Sequence, residues 1–164
     1  MTGLFEQSGA IFSPCGTYRM RLWRRWGSGC PAVFCMLNPS TADATANDPT
    51  VERCERRARA MGFGGLEVIN LFALRSTDPR ALRRHDDPIG PGNDAAILEA
   101  CGGAGIVICA WGAYGALMSR GECVHELLRS ADVQPHILEL NRDGTPKHPL
   151  YVGYDVQPKP WKAA

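Results

Sequence analysis

The stretch AVFCMLNPS, residues 32–40, decides the fold. Its first six residues are all apolar, and such a short apolar run predicts a β-strand that is buried on both faces. Asn38 and Pro39 then end the run, because proline has no backbone N–H to continue a strand. Three comparable runs follow along the chain: LEVINLF (66–72), GIVICA (105–110) and HILEL (136–140).

Helical segments are predicted between these strands. Asp48 precedes Pro49, a pair typical of an N-cap and first helical position. Apolar residues then recur at helical spacing until Gly62, where the helix is expected to end. Three more helical pieces are predicted: over about 93–101 with Asn93 or Asp94 as cap, over 122–131, and one turn after Pro79.

The alternation of strands and helices predicts an α/β fold. We expect a three-layer α/β/α sandwich around a central parallel four-stranded sheet, in a single domain over residues 1–164. Two short runs, 9–13 and 17–23, predict an N-terminal β-hairpin within residues 1–30, in which Tyr18, Met20 and Leu22 alternate with residues of the other face. The α/β core then covers 31–151, and residues 152–164 form a loop-rich tail.

Composition narrows the classes of protein. The chain has 164 residues, of which 45% are hydrophobic and 21% charged, so it is globular and not disordered. No apolar run is long enough to span a membrane, and no secretory signal is visible. Seven cysteines without a C-x-x-C pair favour a reducing, cytoplasmic compartment and give no metal-site spacing. We expect no metal, no cofactor and no obligate protein partner.

The net charge of +1 is too small to indicate nucleic acid binding by itself. The arginines are nevertheless clustered, and local clusters can form one basic face on a neutral protein. Solvated helix faces are the alternative explanation for each cluster. The clusters are Arg19, Arg21, Arg24 and Arg25; Arg53, Arg56, Arg57 and Arg59; and Arg75, Arg80, Arg83 and Arg84.

Polar residues gather where the predicted parallel strands end, which is where ligands bind in such sheets. Asn38 follows the first strand and can hold a water or a base edge, or simply form an Asx turn. Asn70 lies within the second strand, so its amide needs a partner from the backbone, water or a ligand. Asp43 and Asp48 are candidate general bases, although the N-cap role is favoured for Asp48.

Long motifs identify the chain as a member of the bacterial and phage family called domain of unknown function 1643. A second, looser resemblance is to the uracil-DNA glycosylase superfamily, through strand–Asn38-Pro39, Asn70 in a strand, strand–Trp111-Gly112, and His148-Pro149. The motifs of the first family are MLNPSTADATANDPT (36–50), VINLFALRSTDP (68–79), DPIGPGND (87–94), AWG (110–112) and GTPKHPLY (144–151), together with the SPCGTYR start.

The second resemblance implies a small α/β/α fold and a role for each matching residue. Asn38 would position the attacking water, Asn70 would read the base edge, and His148 would stabilise the departing base. Leu150 and Tyr151 stand where wedge residues enter the duplex. The departures are that Ser40 follows Pro39 in place of an aromatic residue or glycine, and that Phe72 or Trp111 would have to stack on the base. The expected phosphate contacts are Arg53, Arg56 and Lys147.

The leading hypothesis is therefore a monofunctional DNA glycosylase that acts on a flipped base. The altered pocket favours a modified viral base, removed in antiviral defence, or a damaged base. If a carboxylate activates water, Asp43 is the first candidate and Asp48 the second. The alternatives are a hydrolase acting on a free modified nucleotide and a non-catalytic nucleic-acid-binding module.

Overall fold

A computed structural model describes residues 6–162 and places them in one mixed sheet with helices on both faces. The strand order is β1-β2-β4-β3-β5-β6-β7. The strands are β1 Gln7–Phe12, β2 Arg19–Arg25, β3 Pro31–Met36, β4 Gly65–Asn70, β5 Ile106–Cys109, β6 Pro135–Ile137 and β7 Lys159–Pro160. The α-helices are α1 Pro49–Ala60, α2 Asn93–Gly102 and α3 Arg120–Ser130, and 3-10 helices cover Pro79–Arg83, Ala113–Ser119 and Pro149–Tyr151.

The four strands predicted from the apolar runs are the parallel centre of the sheet. β3 pairs in parallel with β4 and β5, and β5 pairs in parallel with β6. Every residue of β3 and β4 is buried, which is the burial expected of strands covered on both faces. The α/β class is therefore confirmed.

The predicted central sheet of four parallel strands is part of a larger, seven-stranded sheet. The hairpin β1–β2 adds to the sheet because β2 pairs antiparallel with β4. The tail also contributes, since β7 pairs antiparallel with β6 at the opposite edge. Residues 1–5 of the predicted hairpin and 163–164 of the predicted tail lie outside the described residues.

Two apolar cores separate the layers. Val51, Cys54 and Ala58 of α1 pack with Phe34 and Val68 on one face of the sheet. On the other face, α2 and α3 pack against the strands through Ile97, Ala100, Val124 and Leu128, among others. Strand side chains alternate between the two cores, as a pleated strand requires. The carboxyl ends of β3 and β4 consequently lie beside the start of α1.

The cap of α1 is confirmed and the cap of α2 is not. Asp48 accepts the Val51 N–H at 2.8 Å, and Pro49 stands at the first turn. At α2, Gly92 is the N-cap residue, in the left-handed conformation. Asn93 instead lies inside the helix, where its amide nitrogen donates to the carbonyls of Asn70 and Leu71.

The expected alternation in β2 is wrong. Arg19 and Arg24 are buried together with Leu22, whereas Met20 is only half-buried. A register irregularity between Ile11 and Phe12, next to Arg19, breaks the simple period of two. Arg24 is stable in this position because its guanidinium donates to Asn47 Oδ1 and to carbonyls of Asp43, Ala44 and Ala46. The first arginine cluster is therefore not one exposed basic face.

Candidate active site at the ends of the parallel strands

A cavity of about 500 Å3 opens at the carboxyl ends of β3, β4 and β5. It lies on the α1 side of the sheet, and α1 contributes its cap and first residues to the wall. Eight of the residues predicted for the site from sequence line it together: Asn38, Ser40, Asp48, Asn70, Trp111, His148, Leu150 and Tyr151. Segments far apart in the chain thus meet at one place, as the strand-end argument predicts.

Asn70 is the last residue of β4 and is only 1% exposed. Neither its Nδ2 nor its Oδ1 has a hydrogen-bond partner among the described residues. Burying an amide without partners costs about 1–3 kcal/mol, so most buried amides in proteins are paired. The side chain lines the cavity, where it offers a donor and an acceptor in one plane.

Asn38 connects two loops at the cavity wall. Its Nδ2 donates to the carbonyls of Ser76 at 3.0 Å and Leu74 at 3.4 Å. A third contact reaches the Pro39 carbonyl at 3.2 Å. These contacts fix the orientation of the amide and leave Oδ1 as its acceptor. The Asx-turn alternative is therefore replaced by a bridge between the loop after β3 and the loop after β4.

His148 is held by its own backbone turn. Its Nδ1 accepts the Leu150 N–H at 3.2 Å, which caps the 3-10 helix Pro149–Tyr151. An accepting Nδ1 places the ring proton on Nε2, so the neutral ring is a donor at Nε2. Burial lowers the His148 pKa, and the Asp48 charge opposes this effect in part. The ring is thus neutral at physiological pH.

The Asp48 carboxylate has a structural role. Its Oδ1 accepts the Val51 N–H at 2.8 Å, and its Oδ2 accepts the Ala42 N–H at 3.3 Å. A carboxylate that serves two backbone donors caps the helix and closes the preceding loop. This arrangement agrees with the favoured N-cap role and leaves Asp48 as a charge beside the cavity.

The mouth of the cavity carries large exposed apolar side chains. Leu150 is 41% exposed, Tyr151 75% and Tyr114 38%, and all three line the opening. Trp111 lies deeper and is only 2% exposed, with its ring edge-on to Trp161. Aromatic and apolar groups around a polar interior are suited to a planar ligand.

Two of the residues predicted for catalysis or base binding lie outside the cavity wall. Phe72 is fully buried in the core formed with α2 and α3 and is not part of the cavity wall, so it cannot stack on a bound ring there. Asp43 also lies outside the wall, because its carboxylate closes a tight turn by accepting the Thr45 and Ala46 N–H groups. These hydrogen bonds lower the Asp43 pKa. Neither residue lies in the cavity wall, where its predicted role would place it.

The basic residues expected to hold phosphates have protein partners. Arg53 donates to the carbonyls of Pro149 at 2.7 Å and Val152 at 2.6 Å, and so anchors the segment that carries His148 to α1. Arg56 pairs with Glu52 on the exposed face of α1, and Lys147 pairs with Glu139. None of the three lines the cavity.

The cavity also contains polar residues that sequence reasoning missed. They are Arg19, Thr50, Ser76, Thr77 and Tyr114. Three of these residues lie in the family motifs close to the ends of β3 and β4, so the rule that ligands bind at strand ends could have predicted them: Thr50, Ser76 and Thr77. Arg19 ends the SPCGTYR motif, but an arginine in a hairpin strand is usually solvated, so its burial in the cavity wall was not expected.

The fold and the cavity together define an α/β protein with a polar site at the carboxyl ends of parallel strands. The chain belongs to the family described as proteins of unknown function (DUF1643), whose model matches residues 19–150. The family membership inferred from the motifs is thereby confirmed. A search of curated proteins and a search of solved structures each find no match. The resemblance to the uracil-DNA glycosylase superfamily stays a prediction.

Two further findings bear on the site. Within residues 6–162, no group of three or more His, Cys, Asp or Glu side chains is placed to hold a metal ion. Over the same residues, no helix has the length and apolar content needed to cross a bilayer. The polar groups that line the cavity are amides, hydroxyls, an imidazole, a capping carboxylate and a guanidinium.

Proposed function

We propose that the protein hydrolyses the N-glycosidic bond of a modified or damaged base that has been flipped out of DNA. The observation that carries this proposal is the Asn70 amide, which is buried in the cavity without a partner. A free donor and acceptor side by side match the edge of a nucleobase. A base bound there would satisfy both groups.

Asn38 and His148 supply the chemistry around that base. As the C1′–N bond breaks, its electron pair stays on the base nitrogen, and the sugar becomes oxocarbenium-like. The His148 Nε2–H donates a hydrogen bond to the anionic base, which stabilises the charge as it develops. Water held by Asn38 Oδ1 then adds to C1′ and loses its proton to solvent.

Among the described residues that line the cavity, Asp48 is the one carboxylate, and its role in the α1 cap favours this order of events. Both oxygens of Asp48 already accept backbone N–H groups. An amide oxygen is a very weak base, so it positions water without deprotonating it. Bond breaking therefore runs ahead of water attack, and the stabilised leaving base supplies most of the rate enhancement.

The mouth of the cavity fits an extrahelical nucleotide. Leu150 and Tyr151 project from a 3-10 helix that Arg53 fixes to α1. Apolar side chains in such a position can fill the gap that a flipped base leaves in the stack. In a bacterial cell, removal of a modified viral base by such an enzyme would act as antiviral defence.

A second candidate is hydrolysis of a free modified nucleotide. It is favoured by the protein partners of Arg53, Arg56 and Lys147, which were expected to bind a DNA backbone. The two functions differ in salt dependence. Binding to a DNA strand releases counterions and weakens steeply with salt, whereas binding of a monomer weakens much less.

The test is a base-release assay on a panel of DNAs containing uracil, deaminated bases, mismatches and heavily modified phage bases. Alkaline cleavage reports abasic sites. We expect strand breaks on at least one DNA, and their loss in Asn38→Ala and His148→Ala. Asn47→Ala is the matched control, since Asn47 lies in the same loop as Asn38 and outside the cavity wall.

Thermal unfolding of every variant shows whether a loss of activity is a loss of folding. Breaks that persist in both Asn38→Ala and His148→Ala contradict the roles given to these residues. If no DNA is cleaved, the DNA glycosylase proposal is wrong. Release of base from free modified nucleotides would then support the second candidate.

A further inference from the structure

Arg19 is a buried cation in the cavity wall, at the start of β2 and only 2% exposed. Its Nη1 donates to the Ala42 carbonyl at 3.0 Å. Its Nε is buried without a partner, and Nη2 takes part in no hydrogen bond or ion pair with residues 6–162. One edge of the guanidinium, formed by Nε and Nη2, thus has no partner among the described residues.

A second buried arginine on the same strand shows how unusual this is. Arg24 uses all three nitrogens, on Asn47 Oδ1 and on backbone carbonyls. Arg57 has an unpartnered Nε as well, but its two terminal nitrogens make three carbonyl contacts. Arg19 alone of these three lines the cavity.

Among residues 6–162, no carboxylate is in contact with the Arg19 guanidinium. Asp48 is the carboxylate that favours the Arg19 charge most, yet its oxygens serve backbone donors and no ion pair joins the two residues within 4.0 Å. Burial lowers the Arg19 pKa to about 10, so the guanidinium is still charged at neutral pH. A buried charge is stable only when a group of opposite sign or good hydrogen bonds compensate it.

Arg19 and Asn70 belong to neighbouring strands and contribute to the same cavity. β2 pairs with β4, and Leu22 lies opposite Val68, two residues before Asn70. The open amide of Asn70 and the open edge of Arg19 therefore belong to one binding surface. A ligand that satisfies both must carry a base-like edge and, next to it, two acceptors of negative charge.

We propose that the cavity recognises a base bearing a planar anionic substituent, such as a carboxylate, which Arg19 binds through Nε and Nη2. The fork geometry of a guanidinium matches the two oxygens of a carboxylate. That the ligand is a nucleobase rests on the proposed function; that it is an anion rests on Arg19. The anion compensates the buried charge, and Asn70 holds the adjoining ring.

The test compares matched pairs of ligands that differ only in charge. The probes are 5-carboxyuracil, 6-carboxyuracil and benzoate, each set against its own carboxamide. Binding to the full-length protein is measured by calorimetry. We expect at least one carboxylate to bind about ten- to hundredfold more tightly than its carboxamide, as a charged hydrogen-bonded contact gives.

Variants assign the effect to Arg19. Arg19→Met should abolish the preference for the carboxylate. Arg19→Lys keeps the charge but loses the fork, so it should retain only part of the preference; it also provides a folded variant if Arg19→Met does not fold. Arg24→Lys is the control and should bind the probes as the unaltered protein does.

Several results overturn the proposal: equal binding of every carboxylate and its carboxamide, or a preference that survives in Arg19→Met. Binding of inorganic phosphate that depends on Arg19, without binding of any carboxylate, also overturns it and assigns Arg19 to a nucleotide phosphate. The readout does not involve base release. Carboxylate binding without base release from any DNA would therefore refute the proposed function and leave this inference standing.

Discussion

Two buried asparagines lie on opposite sides of the end of β4, and they differ in their side-chain hydrogen bonds. Asn93, on the α2 side, and Asn70, on the cavity side, are each 1% exposed. Asn93 donates through Nδ2 to two carbonyls, at 3.0 Å and 3.1 Å, and leaves only its Oδ1 without a partner. Asn70 makes no side-chain hydrogen bond with the described residues.

The difference separates polar groups that hold the fold from polar groups that serve a ligand. A buried amide that ties a helix start to a strand end repays its desolvation within the protein. An amide that stays unpaired destabilises the free protein and becomes useful only when something binds. Arg24 and Arg19 repeat the contrast on strand β2, so two of the side chains that line the cavity carry buried polar atoms without a partner among the described residues.

The largest difference in activity is expected between two single variants, in which Asn70 or Asn93 is replaced by alanine. Asn70→Ala should lower base release by about 10²- to 10⁴-fold, because a site built to hydrogen-bond a group discriminates strongly when the pairing is lost. Asn93→Ala should lower activity less than tenfold. Single-turnover rates on the best DNA measure both changes, and comparable losses in the two variants would contradict the distinction.

The next largest effect concerns His148. His148→Asn should lower the rate about 10²-fold, as removal of a donor to a developing anion does. His136→Asn, in β6 and outside the cavity wall, is the control. Rates are measured under single-turnover conditions, and an unchanged rate in His148→Asn would exclude its role toward the leaving base.

The pH dependence of the activity is a second test of the role of His148. Burial lowers the His148 pKa, so activity should hold down to pH values below the ordinary histidine value of about 6.5 and fall once the ring is protonated. Protonated Nδ1 can no longer accept the Leu150 N–H. The unfolded chain binds the proton first as the pH falls, so the free energy of unfolding should also decrease below that value. An activity that already falls as the pH is lowered to 7 would contradict the neutral state of His148.

Arg53 tests the segment that carries His148. Arg53→Met removes two hydrogen bonds from a charged donor to the carbonyls of Pro149 and Val152. We expect the free energy of unfolding to fall by about 1.5–3 kcal/mol. Arg56→Met, three residues along the same helix, removes only an exposed ion pair and should change the free energy of unfolding far less than Arg53→Met does. Chemical denaturation measures both values, and equal effects would contradict the anchoring role.

The smallest effect separates the two aspartates of the first loop. Asp48→Ala should lower the free energy of unfolding by about 0.5–2 kcal/mol through loss of the α1 cap. Asp43→Ala affects an exposed turn outside the cavity wall and should leave the rate of base release unchanged. A large rate loss in Asp43→Ala would restore Asp43 as the base that activates water.

The sequence predicted what depends on local pattern. Apolar runs located the four parallel strands, and Asp48-Pro49 located the start of α1, because strand burial and helix capping are determined by a few neighbouring residues. The strand-end rule then brought Asn38, Asn70, Trp111 and His148 to one cavity. For Asn38, Asn70 and Trp111 this prediction needed only the parallel order of the strands. The position of His148, well after the end of β6 at Ile137, also depends on the Arg53 contacts.

Features set by distant partners were beyond the sequence. Arg19 and Arg24 are buried because loop carbonyls 20 or so residues away receive them, and no local signal announces such partners. Arg53 was expected to face a phosphate, but its carbonyl partners lie in the segment after His148. Asp43 and Phe72 were misplaced for the same reason, since a tight turn and the second core decide their positions.

The most direct test of the central claim is the free energy of unfolding of Asn70→Leu and Asn93→Leu, measured by chemical denaturation without ligand. We expect the two substitutions to change the free energy of unfolding in opposite directions. Asn70→Leu should be more stable than the unaltered protein by about 1 kcal/mol or more, since it removes an unpaired buried amide, and Asn93→Leu should be less stable by about 1–3 kcal/mol. A loss of stability in both variants would contradict the claim that Asn70 is kept for a ligand.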